Sequence, residues 1–561
     1  MRSSLVTRHP PHVWFAATVL FASLGFELVS LLSLQLRSFN PMPWFDDWDT
    51  VLLWSRVTAA GDVITALLTP HNEHRIALPR LLTLVDFAVA HGSGAFNLAV
   101  IVIAQALIGV VFYLASRQVL RHAMLFMLLA LCLLFSGHQM SNFLWSFQTQ
   151  VPLLYLFSAL AFWLACRAID DRPMLFLPAF MLGVLASLSQ AAGLFTLPVL
   201  VLAAALYGRR FRWLTTLLLM LASALMFTWY LHGESSGHRE PLQLAAVPGL
   251  IRFALDFLGS PALELVGDYT VLVGFAVVLL AFSLILKARG SRPDGAAAIA
   301  LAFIIMIGLT CMAAAEARSF LGPDAATESR YGTPAVVLYL ALMAGFWPRR
   351  QQQPASRAEA WRVGVMALLV ALFGSATTLL LPYDYADLRV IKARAETAYA
   401  ANVDDQPSIS AVGLEGRIWR ARPFLQRHQL SIFARKEQQA IGQPLTQRFA
   451  VRPGPCPGNL DSAAAVLSGE RPGYRLAGWA LAANGHAANT VIFAADNIVL
   501  GYARPVTDRP DVKSVMPQAR ELTTGFEGHI GPAGGVVHAY NLSADKATVC
   551  QISGQLDLPH L

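Results

Sequence analysis

The sequence predicts a polytopic α-helical membrane protein, resembling no soluble enzyme in composition, with a C-terminal all-β sandwich-like domain carried outside the membrane. Three observations predict it. Only 14% of the 561 residues are charged, against about 25% in an ordinary soluble domain, and mean hydropathy is +0.51. Apolar runs recur from residue 13 to residue 381, each near the ~20 residues that cross a bilayer as a helix. From about residue 445 the pattern changes to short β-type runs separated by Gly, Pro, Asn and Asp, which is strand-and-turn chemistry.

The apolar runs fall at 13–35, 94–116, 122–136, 150–166, 174–188, 192–207, 213–231, 269–287, 296–315, 333–347 and 363–381, about eleven expected spans. The loops between them differ in Lys and Arg. One alternate set holds Arg2 and Arg8; Arg117 and Arg121; Arg167 and Arg172; Arg209, Arg210 and Arg212; Lys287, Arg289 and Arg292; Arg349, Arg350, Arg357 and Arg362. The other set is poorer for its length, and 137–149 has no Lys or Arg. The positive-inside rule makes the first set cytoplasmic. The N-terminus is then inside, and the first long loop and everything after residue 381 are outside. The net charge of +7 follows from this topology, so no nucleic-acid partner is expected. The first run lacks an A-x-A-like cleavage site and is long for a signal-peptide core, so it is expected to remain as an anchor.

Cysteines fit the same scheme. Cys132, Cys166 and Cys311 lie in or at the ends of apolar runs and are expected as buried thiols. Cys456 and Cys550 lie in the exported tail, where a pair is a disulfide candidate.

Residues 36–93 form the longest outside loop. Residues 47–60 read as a short amphipathic helix capped by an aspartate. Residues 74–90 read as a second, too polar at Arg75, Arg80 and Asp86 to span; both suit the membrane surface. A second outside loop covers 232–268, with a short helix near 245–258, and a third covers 316–332. The membrane domain is thus expected over 1–381. Residues 382–444 read as an exported helical linker region, helical near 385–400 and 425–440. Residues 445–561 read as an antiparallel sandwich of ordinary domain size.

The stretch "PWFDDWDTVLLW", residues 43–54, places Asp46, Asp47 and Asp49 among Trp44, Phe45, Trp48 and Trp54. A helix cap needs one aspartate. The others suit a general base toward a sugar hydroxyl, and apolar rings beside such a base would raise its pKa by desolvation. The tryptophans suit stacking on a sugar or interfacial anchoring. In "HNEHR", His71, His74 and Arg75 have helical i, i+3, i+4 spacing, with Glu73 on another face. The pair lacks H-E-x-x-H spacing, so a divalent metal is not supported and no cofactor is expected. The patch suits a phosphate or sugar, with Arg75 as phosphate partner; a solvated loop is the bland alternative. In "ESRYG", Arg330 beside Tyr331 suits a lipid phosphate or routine snorkelling. "EAR" at 316–318 reads as an ion pair. "HQMSNFLWSFQTQ", residues 138–150, adds Trp145, Gln148 and Gln150 for hydroxyl recognition. These clusters all fall at the outer ends of the spans. Nucleotide-binding, esterase-elbow and redox motifs are missing.

These residues together resemble the GT-C superfamily of polyprenyl-phosphate-dependent glycosyltransferases. "FDDWD" after the first span, two surface helices and "HNEHR" carry the likeness. "ESRY" is similar to the Ser-Arg-Tyr of many bacterial members. "GWALAANGHAANTVIFAADNIVLGYARPVTDRPDV" resembles a β-domain appended to bacterial surface-glycan glycosyltransferases. The resemblance implies sugar transfer, with inversion, from a polyprenyl-phosphate donor to a cell-envelope glycan or lipid acceptor. It implies action at the outer face of a bacterial inner membrane, with the β-domain periplasmic and often no metal. The general base then falls on Asp47 or Asp46, and Asp47-Trp48-Asp49 also matches a D-x-D-like form. Arg330 and Arg75 are the candidates for the donor phosphate. Asp49, His71, Glu73, His74, Gln148 and Tyr331 complete the expected substrate contacts. The competing classes are a lipid-linked glycan polymerase and a polysaccharide transporter or flippase. A transporter would place polar groups at mid-membrane on broken, repeated spans, and no row of intramembrane charges is seen. A carbohydrate-binding tail on a mere anchor would not need about eleven spans.

Overall fold

A computed structural model describes residues 11–169, 172–208, 212–232, 246–289, 292–351, 356–380 and 382–561. The expected cytoplasmic residues Arg2, Arg8, Arg209 and Arg210, and the middle of the loop at 232–268, lie outside the described residues. Each of the eleven apolar runs contains a helix. Among the described residues, seven helical segments are long and apolar enough to cross a membrane, or eight if the bent pair Ala123–Leu134 and Gly137–Leu144 counts as one span. The length criterion thus accounts for seven or eight of the about eleven expected spans. Phe176–Ser187 and Thr196–Tyr207 have 12 residues each; at 1.5 Å per residue these fall well short of a hydrocarbon core ~30 Å thick. Hydropathy reports apolar content and is blind to where a helix breaks.

The chain packs as two units. The first takes the described parts of 1–36, 64–82 and 97–382; the second takes 37–63, 83–96 and 383–561. The first outside loop thus divides between them. Packing breaks between Pro382 and Tyr383.

In the first unit, small residues set the helix contacts. Val247–Gly259 and Thr270–Ala288 approach so closely that a Cβ on Gly274 would overlap the Leu255 carbonyl, and one on Gly259 the Thr270 carbonyl. Small residues allow this backbone approach where lipid supplies no hydrophobic drive. The helix Gly332–Phe346 is buried over most of its length. A polar ladder pins residues 137–142 to its start: Gln105 Nε2 and Thr333 Oγ1 each donate to Gln139 Oε1 at 2.8 Å, and Asn142 Nδ2 donates to Thr333 Oγ1 at 3.0 Å. Cys132 and Cys311 are buried thiols, as the sequence predicts, whereas Cys166 is only partly buried.

The second unit holds the β-domain, with β1 (Ala450–Val451), β2 (Cys456–Val466), β3 (Gly473–Ala480), β4 (Thr490–Ala495), β5 (Ile498–Thr507), β6 (Gly525–Ile530), β7 (Gly535–Leu542) and β8 (Thr548–Leu558). The sheet order is β1-β8-β2-β3-β6-β5-β4-β7, and β7 pairs again with β8. The sheet therefore closes into a barrel, where the sequence predicted a sandwich. Parallel pairing of β2 with β8 makes this closure, and closure removes exposed edges. Alternation along a strand cannot tell the two architectures apart, because both bury every second residue. Asp496 and Asn497, both at positive φ, form the two-residue turn between β4 and β5. Cys456 and Cys550 form a disulfide, as expected.

Residues 382–444 are not a linker. Pro382–Ala401 and Glu415–Arg427 share one apolar core with the outer wall of the barrel. Tyr399, Ile418 and Leu425 meet Ile492, Val499, Tyr502 and Val549 there, and Trp48 and Val51 from the first loop join them. β4 is buried on both faces as a result.

Candidate functional site

The carboxylate segment belongs to the second unit. Its entry is fixed from two sides: Phe45 N–H and Trp48 Nε1–H both donate to the Val412 carbonyl, at 2.8 and 3.1 Å. The helix runs Asp47–Ala60, the residues the sequence predicts. Asp46 occupies the cap position but makes no side-chain cap bond. Asp47 Oδ2 accepts instead from Trp44 N–H at 3.2 Å. Asp49 forms an ion pair with Arg417, so it is anchored to the helix Glu415–Arg427. Lys392 lies over the Trp44 ring at 4.6 Å; burial pushes its ammonium down to about 8, against the pull of Asp47. Asp47 thus has a cation beside it. Trp48 and Trp54 are buried in the protein, so neither acts as an interfacial anchor or a sugar platform. Trp48 packs edge-on against Tyr399 at 5.5 Å.

The remaining expected residues lie in the first unit. "HNEHR" is a tight turn, not a helix: His71 and His74 exchange backbone hydrogen bonds at 2.7 and 2.9 Å, and Asn72 sits at φ 51°. The helix begins only at Ala77. Asn tolerates this left-handed position, and the helical spacing expected for His71, His74 and Arg75 does not apply. Arg75 is no phosphate partner in this arrangement. Its guanidinium donates to the carbonyls of Tyr230 (2.8 Å), Leu68 (2.6 Å) and His232, and its side chain is buried. It also lies 4.8 Å from the Trp229 ring centre. Arg80 similarly clamps the carbonyls of Ala66 and Leu67, at 3.0 and 3.2 Å.

Glu73 bridges to another expected region. Its carboxylate pairs with Arg318 at 2.7 Å, so Arg318 does not use its neighbour Glu316 as the sequence suggests. Burial pushes Glu73 up, but His74 and Arg318 outweigh it and hold it below its ordinary value. Burial pushes His74 down to about 4, against the Glu73 carboxylate. His74 is then neutral at pH 7, and Arg318 balances Glu73. Tyr331 lies within electrostatic reach of Arg318 and also carries Arg330 over its ring at 5.4 Å. Arg330 pairs with Glu328 at 2.7 Å. Two guanidiniums therefore flank one tyrosine, and each already has a carboxylate.

The segment 138–150 joins this cluster. Ser329 Oγ donates to the His138 carbonyl at 2.6 Å and accepts from Ser141 N–H at 3.1 Å. Asn142 Nδ2 donates to the Arg330 carbonyl at 3.1 Å. His71 packs against Phe147, with ring centres 5.2 Å apart, and Phe147 stacks on Trp145. Gln148 is buried. The sequence reading missed the most buried pair here: His138 Nδ1 lies 2.8 Å from Glu264 Oε1. Glu264 stands in the short helix Leu263–Val266 with no motif around it, so only tertiary packing exposes the pair. His138 Nε2, Glu264 Oε2 and His74 Nδ1 are buried without a hydrogen-bond partner among the described residues. Buried polar groups are normally paired by protein, ordered water or a ligand, so these atoms are available to either of the last two.

Comparison of the chain with protein-family models, curated proteins and solved structures finds no match.

Proposed function

We propose that the protein is a membrane glycosyltransferase. It moves a sugar, with inversion, from a polyprenyl-phosphate donor to a cell-envelope glycan or lipid acceptor at the outer face of the inner membrane. The carrying observation is the convergence in the first unit. Four sequence-distant segments, 71–75, 138–150, 316–318 and 328–331, meet around two arginines and a set of buried, unpartnered polar atoms. Arg318 and Arg330 take the donor phosphate in this reading. Both start paired, so the phosphate must share or displace Glu73 and Glu328. Arginine's planar fork suits that exchange, and cationic groups aimed at a leaving phosphate stabilise its developing charge without a metal. The general base is Asp47 or Asp46, as the resemblance implies; Asp49 is committed to Arg417 and is set aside. Periplasmic placement of the β-domain follows from the positive-inside rule.

A second reading, a transporter of lipid-linked glycans, draws on Glu27. This carboxylate is buried within Pro11–Ser38 and accepts from Ser23 Oγ at 2.9 Å. Intramembrane carboxylates often mark transport paths. It is the only carboxylate within Pro11–Ser38, and that isolation favours the enzyme. The test is the surface glycan of a deletion strain, resolved by mass spectrometry and linkage chemistry. Loss of one sugar substituent is expected. Shortened chains would favour a polymerase, and loss of all surface glycan a transporter; an unchanged glycan contradicts every one of these readings.

A further inference from the structure

The second unit contains a cavity of about 550 Å³, walled by residues 37–40, the helix Pro382–Ala401 and the barrel strands β4 and β5 with their flanking loops. That is within the ~300–1,000 Å³ of small-molecule sites. Four cations line it: Arg37, Arg389, Arg504 and Lys546. Two are already balanced, because Arg504 pairs with Glu437 at 2.9 Å and Lys546 lies 3.7 Å from the same carboxylate. The wall carboxylate Glu521 is bonded to His486. Among the described residues no carboxylate lies within ion-pair distance of Arg37 or Arg389; Arg389 donates only to the Pro505 carbonyl, at 3.3 Å. Burial holds the Arg389 guanidinium below its ordinary value, and the like charges of Arg37 and Arg504 add to it against Glu521 and Asp508. Two guanidiniums facing one cavity, with no carboxylate in ion-pair contact among the described residues, favour an anion there by elementary electrostatics, and their fork geometry suits a carboxylate or phosphate. The rest of the wall narrows the choice. Asn489 and Phe39 are both exposed there, offering an amide for hydroxyls and an apolar ring for a sugar face.

We propose that this cavity binds an acidic saccharide, with its carboxylate on Arg37 and Arg389, its hydroxyls on Asn489 and its ring face on Phe39. The site does not depend on the transfer reaction proposed above, and binding can be measured where transfer fails. The experiment uses the full chain in nanodiscs of neutral phosphatidylcholine, titrated calorimetrically with a uronic-acid hexasaccharide and with maltohexaose. The uronate is expected to bind at least ~10-fold more tightly than the neutral sugar, and to weaken as salt rises. Arg37→Gln/Arg389→Gln is expected to weaken uronate binding by about 10-fold or more. Arg37→Glu, at an exposed side chain, gives a second test that spares the core. An intact Cys456–Cys550 bridge and an unchanged thermal transition check the fold of each variant. Equal affinity for the two sugars, or undiminished uronate binding in both folded variants, overturns the proposal. Displacement of the uronate by phosphatidylglycerol added to the discs assigns the cavity to a lipid headgroup and overturns it as well.

Discussion

Two polar clusters in this protein follow opposite rules. In the second unit Glu396 is fully buried and saturated. Its Oε1 accepts from Arg435 at 2.6 Å and from Tyr502 Oη–H at 2.8 Å, Oε2 accepts from Asn40 at 2.6 Å, and Arg504 reaches both oxygens at 3.2 Å. Burial alone would push this carboxyl up, but Arg435 and Arg504 pull it down to about 2. In the first unit, the cluster around Tyr331 leaves His138 Nε2, Glu264 Oε2 and His74 Nδ1 buried without partners. A saturated network fixes a fold. An unsaturated one is costly to the fold unless water or a ligand pairs it. The contrast divides framework from site where no motif does.

The carboxylate segment gives the sharpest test of this division. Asp49 is tied to Arg417, whereas Asp47 lies beside Lys392. Replacing the Asp46 and Asp47 carboxylates together by Asn should lower sugar transfer ~10²–10⁴-fold, the usual scale for a general base, at unchanged protein level. Asp49→Asn should lower it less than about 10-fold. Full transfer in the double variant removes the base from this segment.

Breaking the saturated network should instead act on stability. Glu396→Ala removes the buried partner of Arg435 and leaves Arg504 with Glu437 alone, and should destabilise the protein by about 3 kcal/mol, read by denaturant unfolding. The pH dependence has a definite sign. The folded carboxyl lies below its ordinary value of 4.5, so its contribution is fully present above pH 4.5 and is lost as pH falls toward 2, because the unfolded state then binds more protons. Acid unfolding of the Glu396→Ala variant should lack that component. Next in size, Cys550→Ser should cost about 2–4 kcal/mol by opening the bridge to Cys456, with a thiol at Cys456 newly reactive to maleimide. The smallest stability effect is expected at Arg330→Ala, within ~1 kcal/mol for a partly exposed pair. That variant should nonetheless weaken use of the lipid donor by ~10-fold or more, which is the pattern of a binding residue.

Much of the fold was legible in the sequence. The helix at 47–60 was read to its ends, because an acidic start and an αL Gly61 frame it. The helix near 245–258 appears as Val247–Gly259. Barrel closure was not legible, because it depends on which distant strands pair, and β2, β6 and β7 carry too many Gly and polar residues to stand out. The site was half legible. Tyr331, Arg330 and Glu73 do meet through Arg318, but Arg75 looked like a ligand and is a clamp on three carbonyls. A sequence shows that an arginine is present; only the fold shows whether its donors are already used. His138 with Glu264 was hidden for the same reason.

The central claim, that the Tyr331 cluster receives a lipid-linked phosphate, can be tested without chemistry. Binding of sugar-free polyprenyl phosphate to the full chain in nanodiscs should be saturable. It should weaken by about 10-fold or more in Arg330→Ala and in Arg318→Ala, with the thermal transition of Arg330→Ala unchanged. Binding of equal strength in the wild type and both variants would contradict the account.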